Sequence, residues 1–283
     1  AITGLTLPNN IAPANISVLS ITTGNLAVSE SNILDNVINA FNFTSTATVW
    51  VSVESGTLHV FNITTHHNGD NQMGLENPVI EAICSATTGC ILEDLVLEGD
   101  SIHLNPSNSL MGTMLRNVAI RNSTKGGVRI YVIQSHVDVV NVDIRDTSLV
   151  NGAGIMVAIP NGGTVKMSDI YMDNLTANLS GGCFDSYVTN GSYHLLNTTC
   201  QSSRTLEAGN VNADGYALGG GAGLMGSFSN ATISMVDTRW YDLCSTLVAT
   251  VGFNMENGGS FLMEDSYFEQ THVNGFGGGC PSH

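Results

Sequence analysis

Positive charge is what this chain most lacks. Of 283 residues only 8 are Lys or Arg, against 24 Asp and Glu, for a formal net charge of −16. Such a surface repels phosphate backbones and anionic headgroups, and no basic patch offsets it, which excludes nucleic acid as a partner. No apolar run is long enough to cross a bilayer as a helix. Proline is scarce at 6 residues, and Trp50 and Trp240 are the only tryptophans. There is no Cys-x-x-Cys pair and no Cys/His cluster, so no zinc site or cofactor is expected. The Gly-rich runs lack both a Gly-x-Gly-x-x-Gly spacing between strand and helix and a Gly-Lys-Ser/Thr ending, so they are not phosphate loops.

What is abundant is Gly, Asn, Ser, Thr and Val, the composition of a β-rich chain. An acidic protein with so few lysines needs another source of solubility, and glycans supply one. Asn-x-Ser/Thr sequons begin at Asn15, Asn42, Asn62, Asn122, Asn174, Asn178, Asn190, Asn197 and Asn230. The six cysteines are an even number, as suits an oxidising compartment. Local spacing favours Cys84–Cys90, leaving Cys183–Cys200 and Cys244–Cys280 by elimination. With Ala1 at its start, the chain is expected to be a mature secreted protein, extracellular or at a cell surface.

An internal repeat sets the expected fold. Its pattern is apolar, any, apolar, any, Asn or Asp, two residues, then an apolar residue or Thr. Val137, Val139, Asn141 and Ile144 form one copy, and Val165, Met167, Asp169 and Met172 the next. The polar anchors are Glu30, Asn62, Asp94, Asn117, Asn141, Asp169, Asn197, Asp237 and Asp265, spaced 32, 32, 23, 24, 28, 28, 40 and 28 residues apart. Alternation within each copy has period two, the strand period, while the 20-to-40-residue recurrence is that of a solenoid whose loops vary.

Each copy reads as two strands around a bend, where Asn or Asp tolerates the left-handed conformation and side chains bond one another from coil to coil as a ladder. A third strand precedes each pair, led by glycines such as Gly126-Gly127, Gly152, Gly154 and Gly181-Gly182. Turns at Asn161-Gly162, Asn190-Gly191, Ser229-Asn230 and Asn257-Gly258 separate it from the anchor pair. The prediction is an all-β, three-sided, right-handed parallel β-helix of about nine coils, a rod of about 43 Å at 4.8 Å per coil. It forms one domain over 1–283, with an N-terminal cap or arm over 1–25, coils over 26–270 and a Gly-rich tail over 271–283. Asn15, Asn42, Asn122, Asn174, Asn178, Asn190 and Asn230 are expected to carry glycans, several of them at corners. Asn62 and Asn197, being anchors, are expected to be buried and unmodified.

The Gly-Gly-apolar openings and alternating strands ending in an Asn or Asp bend resemble right-handed parallel β-helix proteins of the pectin-lyase-like type. They also resemble the short repeats of polymorphic outer-membrane and adhesin-type β-helices. The resemblance spans about residues 24–270 and implies the fold; the architecture carries lyases, hydrolases, adhesins and inert rods alike. Polygalacturonase-like members carry Asn-Thr-Asp, Asp-Asp, Gly-His-Gly and Arg-Ile-Lys in successive coils. Asn212-Ala213-Asp214-Gly215 is similar to the first, and the other three are missing: Arg129-Ile130 is followed by Tyr131. A lyase would need a calcium-binding carboxylate cluster with a basic residue on the groove strand. Arg116, Arg121, Arg145, Lys166 and Arg239 instead read as solvent-facing strand residues, and His66-His67-Asn68-Gly69-Asp70 reads as a polar turn.

No catalytic residue is therefore assigned. The leading expectation is a secreted glycosylated subunit of an extracellular filament, coat or surface layer, partnered by its own copies, by covalent N-glycans and by extracellular polysaccharide. The alternatives are a carbohydrate-active β-helix enzyme and a β-helical adhesin. The longest excursion from the repeat, 202–218, supplies the candidate interaction loop with Arg204, Glu207, Asp214 and Tyr216.

Overall fold

The computed structural model describes residues 2–3, 6–8, 11–12, 17–34, 37–38, 49–66, 69–70, 78–85, 89–109, 112–206, 221–245 and 251–273. Every strand pairing among them is parallel, and no helix occurs there. The fold is a parallel β-solenoid.

Pairings flanking the anchors place all nine in register. Asp94 lies level with Asn62 and Asn117, because Phe61 pairs with Glu93, Ile63 with Leu95, Arg116 with Glu93 and Val118 with Leu95. The same frame continues through Asn141, Asp169, Asn197 and Asp237 to Asp265. Variable spacings in sequence thus become a constant rise in space. The first and last rungs belong to the ends, and the body amounts to about seven turns, slightly fewer than the nine expected.

Three long faces make each turn. Face A carries strands such as Ile102–Ser107, Val128–Ile133, Ile155–Asn161 and Phe184–Thr189. Face B runs up to the anchor and face C away from it, as in His136–Arg145, which crosses both. Between faces C and A several turns insert a short fourth strand, Ser148–Asn151 and Thr176–Ser180 among them, which the repeat did not foretell. Strand pairing also extends into the segment expected as an arm: Ile2 and Thr3 pair with Val28 and Ser29, and residues 17–25 with 49–57.

The core follows from the alternation. Inward columns stack like on like: Ile80, Ile102, Val128 and Ile155 on face A; Leu92, Leu115, Val139 and Met167 on face B; Leu97, Ile120, Ile144 and Met172 on face C, all essentially inaccessible. Each buried aliphatic side chain contributes about 1.5–3 kcal/mol of transfer free energy. At the anchor the alternation slips by one, so that two consecutive residues, Glu93 and Asp94 for example, face outward before Leu95 turns in. A bend residue at positive φ does this, and anchors 62 to 265 all have φ between 46° and 58°. Where glycine leads into face A the coils meet closely: a Cβ on Gly154 would collide with the Cys183 carbonyl and Leu175. Trp240 fills the interior near the C-terminal end, fully buried, edge-on to Phe184 and stacked on Phe268.

Candidate functional site

The anchors form a ladder, and it lies outside. Asn117 donates from Nδ2 to Asp94 Oδ1 at 2.9 Å, Asn141 to Asn117 at 2.9 Å and Asn197 to Asp169 at 2.6 Å, all exposed. The expectation that Asn62 and Asn197 are buried is corrected, since both side chains are exposed. A left-handed residue at a convex corner swings its Cβ away from the core, so the rungs bond across the surface. Two further corner ladders accompany it: Asn122 donates to Glu98 and Asn174 to Asp146, each at 2.5 Å, while Asn230 donates to Asn190 and Asn257 to Ser229, each at 2.9 Å.

The sequon asparagines at 122, 174, 178, 190 and 230 are exposed; Asn15 and Asn42 lie outside the described residues. Disulfides join Cys84 to Cys90 and Cys183 to Cys200, in each case within one turn. Cys244 is also disulfide-bonded, and Cys280, its expected partner, lies outside the described residues. Of the expected interaction loop only Arg204 is described, half-buried in a two-residue strand level with Thr176 and Cys244. Glu207, Asp214 and Tyr216 lie outside, as do His67 and Asn68.

Outward basic residues pair along the coils. Arg116 and His59 both engage Glu93. Burial pushes that carboxyl up, but the two hydrogen-bonded partners outweigh it and hold it below the ordinary range. On face C, Asp143 joins Arg121 at 2.5 Å and Arg145 at 2.9 Å, and Arg145 lies over the Tyr171 ring at 4.7 Å. These are surface networks, each pair worth no more than about 1 kcal/mol.

Two places differ in kind. One is a shallow, solvent-open depression beside face A, lined by Ser101, His103, Lys125, Arg129, Leu149 and Met156. Asp100 is fully buried at its edge, and the Lys125 ammonium, its side chain only 11% exposed, approaches it to 3.5 Å. His103 stands in register between Glu81 and Arg129, and burial pushes its imidazole down to about 4. Burial also lowers Arg129, and nearby Asp185 only partly offsets this. Sequence reading missed this group because its members repeat no motif; the signal was the pair of short spacings, 23 and 24, that bring low corners together.

The other is the C-terminal coil, 251–273. Phe261 and Phe268 occupy the columns of Ile233 and Trp240, yet are 38% and 42% exposed where those are 1% and 0%. No group of three metal-ligating side chains occurs among the described residues. Comparison of the chain with family models, curated proteins and solved structures finds no match. The class of protein therefore rests on the fold, a disulfide-linked parallel β-solenoid.

Proposed function

We propose that this protein is a secreted, glycosylated structural subunit that builds an extracellular filament, coat or surface layer by stacking its coils end to end. The observation that carries this is the C-terminal coil. Its strands are in full register with the turn before, but its inward side chains have no rung beyond them among the described residues. Among the described residues that rung carries an apolar stripe beside a strand edge with no strand beyond it, and the partner matching both is another rung of the same spacing. A second copy, added head to tail, presents that rung; such a heterologous contact does not close and so grows into a filament. Secretion is supported by the sequons and by disulfides, which persist in oxidising compartments. The Gly-Gly openings and polar bends support kinship with pectin-lyase-like or outer-membrane-repeat β-helices.

Sedimentation and negative-stain microscopy of the intact glycoprotein test this. Wild-type protein should form longer rods as concentration rises, and a Phe261→Asp/Phe268→Asp variant should stay monomeric with an unchanged β-sheet spectrum. A wild-type protein that stays monomeric at every concentration would sink the proposal.

A second reading, polysaccharide binding by an adhesin, is favoured by Tyr131 and Tyr187. They stand 42% and 50% exposed in one outward column of face A, two rungs apart with Ala158 between.

A further inference from the structure

We infer that the depression beside face A is a binding site for an oxyanion, a carboxylate or sulfate group held between Lys125 and Arg129. The hollow is a product of coil length. The anchors at Asp94, Asn117 and Asn141 are separated by 23 and 24 residues, the two shortest spacings in the chain, and neither turn spends residues on the short fourth strand. The next turn does, through Ser148–Asn151, and its Leu149 and Gly152 rise as the wall. Gly152 sits at φ +64°, where a Cβ would meet Met156 at 3.1 Å and Asp185 at 3.2 Å, so the absence of a side chain keeps that wall open.

The groups facing the hollow are chiefly donors. Lys125 and Arg129 are two of only 8 basic residues in the chain, and both are drawn in among its lining, whereas Arg116 and Arg239 stand about half-exposed on the flat faces. Ser101 adds a buried hydroxyl with no hydrogen-bond partner. Asp100, Asp185 and Glu81 are the nearby acids, the first against Lys125, the second beside Arg129 and the third level with His103. They balance the cations without occupying the hollow's lining. A ligand oxygen entering there meets cations already stripped of much of their water, so the Coulomb attraction is less screened than on the surface. His103, neutral because burial holds it near 4, offers an N–H without adding charge.

Isothermal titration of the full-length glycoprotein at constant ionic strength tests the site with inorganic sulfate, acetate, a sulfated monosaccharide and the uncharged parent sugar. Saturable binding of at least one oxyanion is expected, with none of the uncharged sugar. The sulfated sugar exceeding sulfate would identify a saccharide-borne group, and equal affinities a free anion. Arg129→Gln should weaken binding about tenfold, the loss of a charge-assisted hydrogen bond. Asp185→Asn should strengthen it by removing a competing acid, and it guards against misreading an unfolded Arg129 variant. The inference is overturned if no oxyanion saturates, or if Arg129→Gln and Asp185→Asn leave the affinity where it was.

Discussion

Replacing Asn117 tests how the ladder and the bend share in stability. Asn117 sits at φ 54°, donates to Asp94 at 2.9 Å and accepts from Asn141 at 2.9 Å. Alanine removes both bonds and puts a Cβ with no local hydrogen bond into the left-handed region. Exposed side-chain hydrogen bonds sit at the low end of their range, about 0.5 kcal/mol each. The left-handed conformation costs about 1–2 kcal/mol. Asn117→Ala should therefore destabilise by about 2–3 kcal/mol. Glycine loses the same bonds but not the conformation, and adds about 0.5 kcal/mol of unfolded-chain freedom, for a total of about 1.5 kcal/mol. Aspartate tolerates the bend but faces the Asp94 carboxylate, a repulsion of about 1 kcal/mol near water's dielectric. Denaturant unfolding followed by fluorescence, with the buried Trp240 as the reporter inside the core, reads all three variants. If glycine matches the wild type, the ladder contributes nothing. If alanine matches glycine, the left-handed bend is not a constraint at this corner.

Three further outcomes follow from the interior and the depression. The folded chain binds a proton at His103 less tightly than the unfolded chain, about 4 against 6.5. The associated stability is therefore complete above pH ~6.5 and lost as pH falls toward 4. At about 1.4 kcal/mol per tenfold change in proton affinity this amounts to roughly 3 kcal/mol, so the stability gap between wild type and His103→Gln should shift by that much between about pH 7 and pH 4; an unchanged gap refutes it. Lys125→Met removes the cation facing fully buried Asp100 and should cost about 3 kcal/mol, with Asp100→Leu in the same chain recovering most of it; a single variant as stable as wild type refutes the buried pair. Replacing Cys183 and Cys200 by serine opens a loop with a sequence separation of 17 and should lower stability by about 3 kcal/mol, read as a fall in melting temperature.

The stacking of the turns was legible in the sequence because every copy repeats one local event, two alternating strands broken by a polar bend. That event leaves a mark even when the spacing between copies varies from 23 to 40 residues. The short fourth strand left no mark: strands as brief as Arg204–Thr205 or Cys244–Ser245 show no period. The direction of the anchors was misread because residue type says that Asn accepts a left-handed bend, while only the corner's convexity says that its side chain then points outward. Once the ladder is seen to be external its composition makes sense. Asn62 and Asn117 flank Asp94, and Asn141 and Asn197 flank Asp169, so an amide donor separates the carboxylates. Asp237 and Asp265 are neighbours without one, and there Arg239 approaches Asp237 at 3.5 Å. The depression was illegible for another reason, since Asp100, His103, Lys125 and Arg129 come from consecutive turns and meet only when turns of unequal length are stacked.

Electron microscopy of the native protein across a concentration series tests the central claim most directly. End-to-end assembly predicts rods that lengthen with concentration, their axial repeat set by whole solenoids of about seven turns. Dispersed single rods of constant length at every concentration would contradict it, and would turn attention to the tyrosines and the depression of face A as sites of binding.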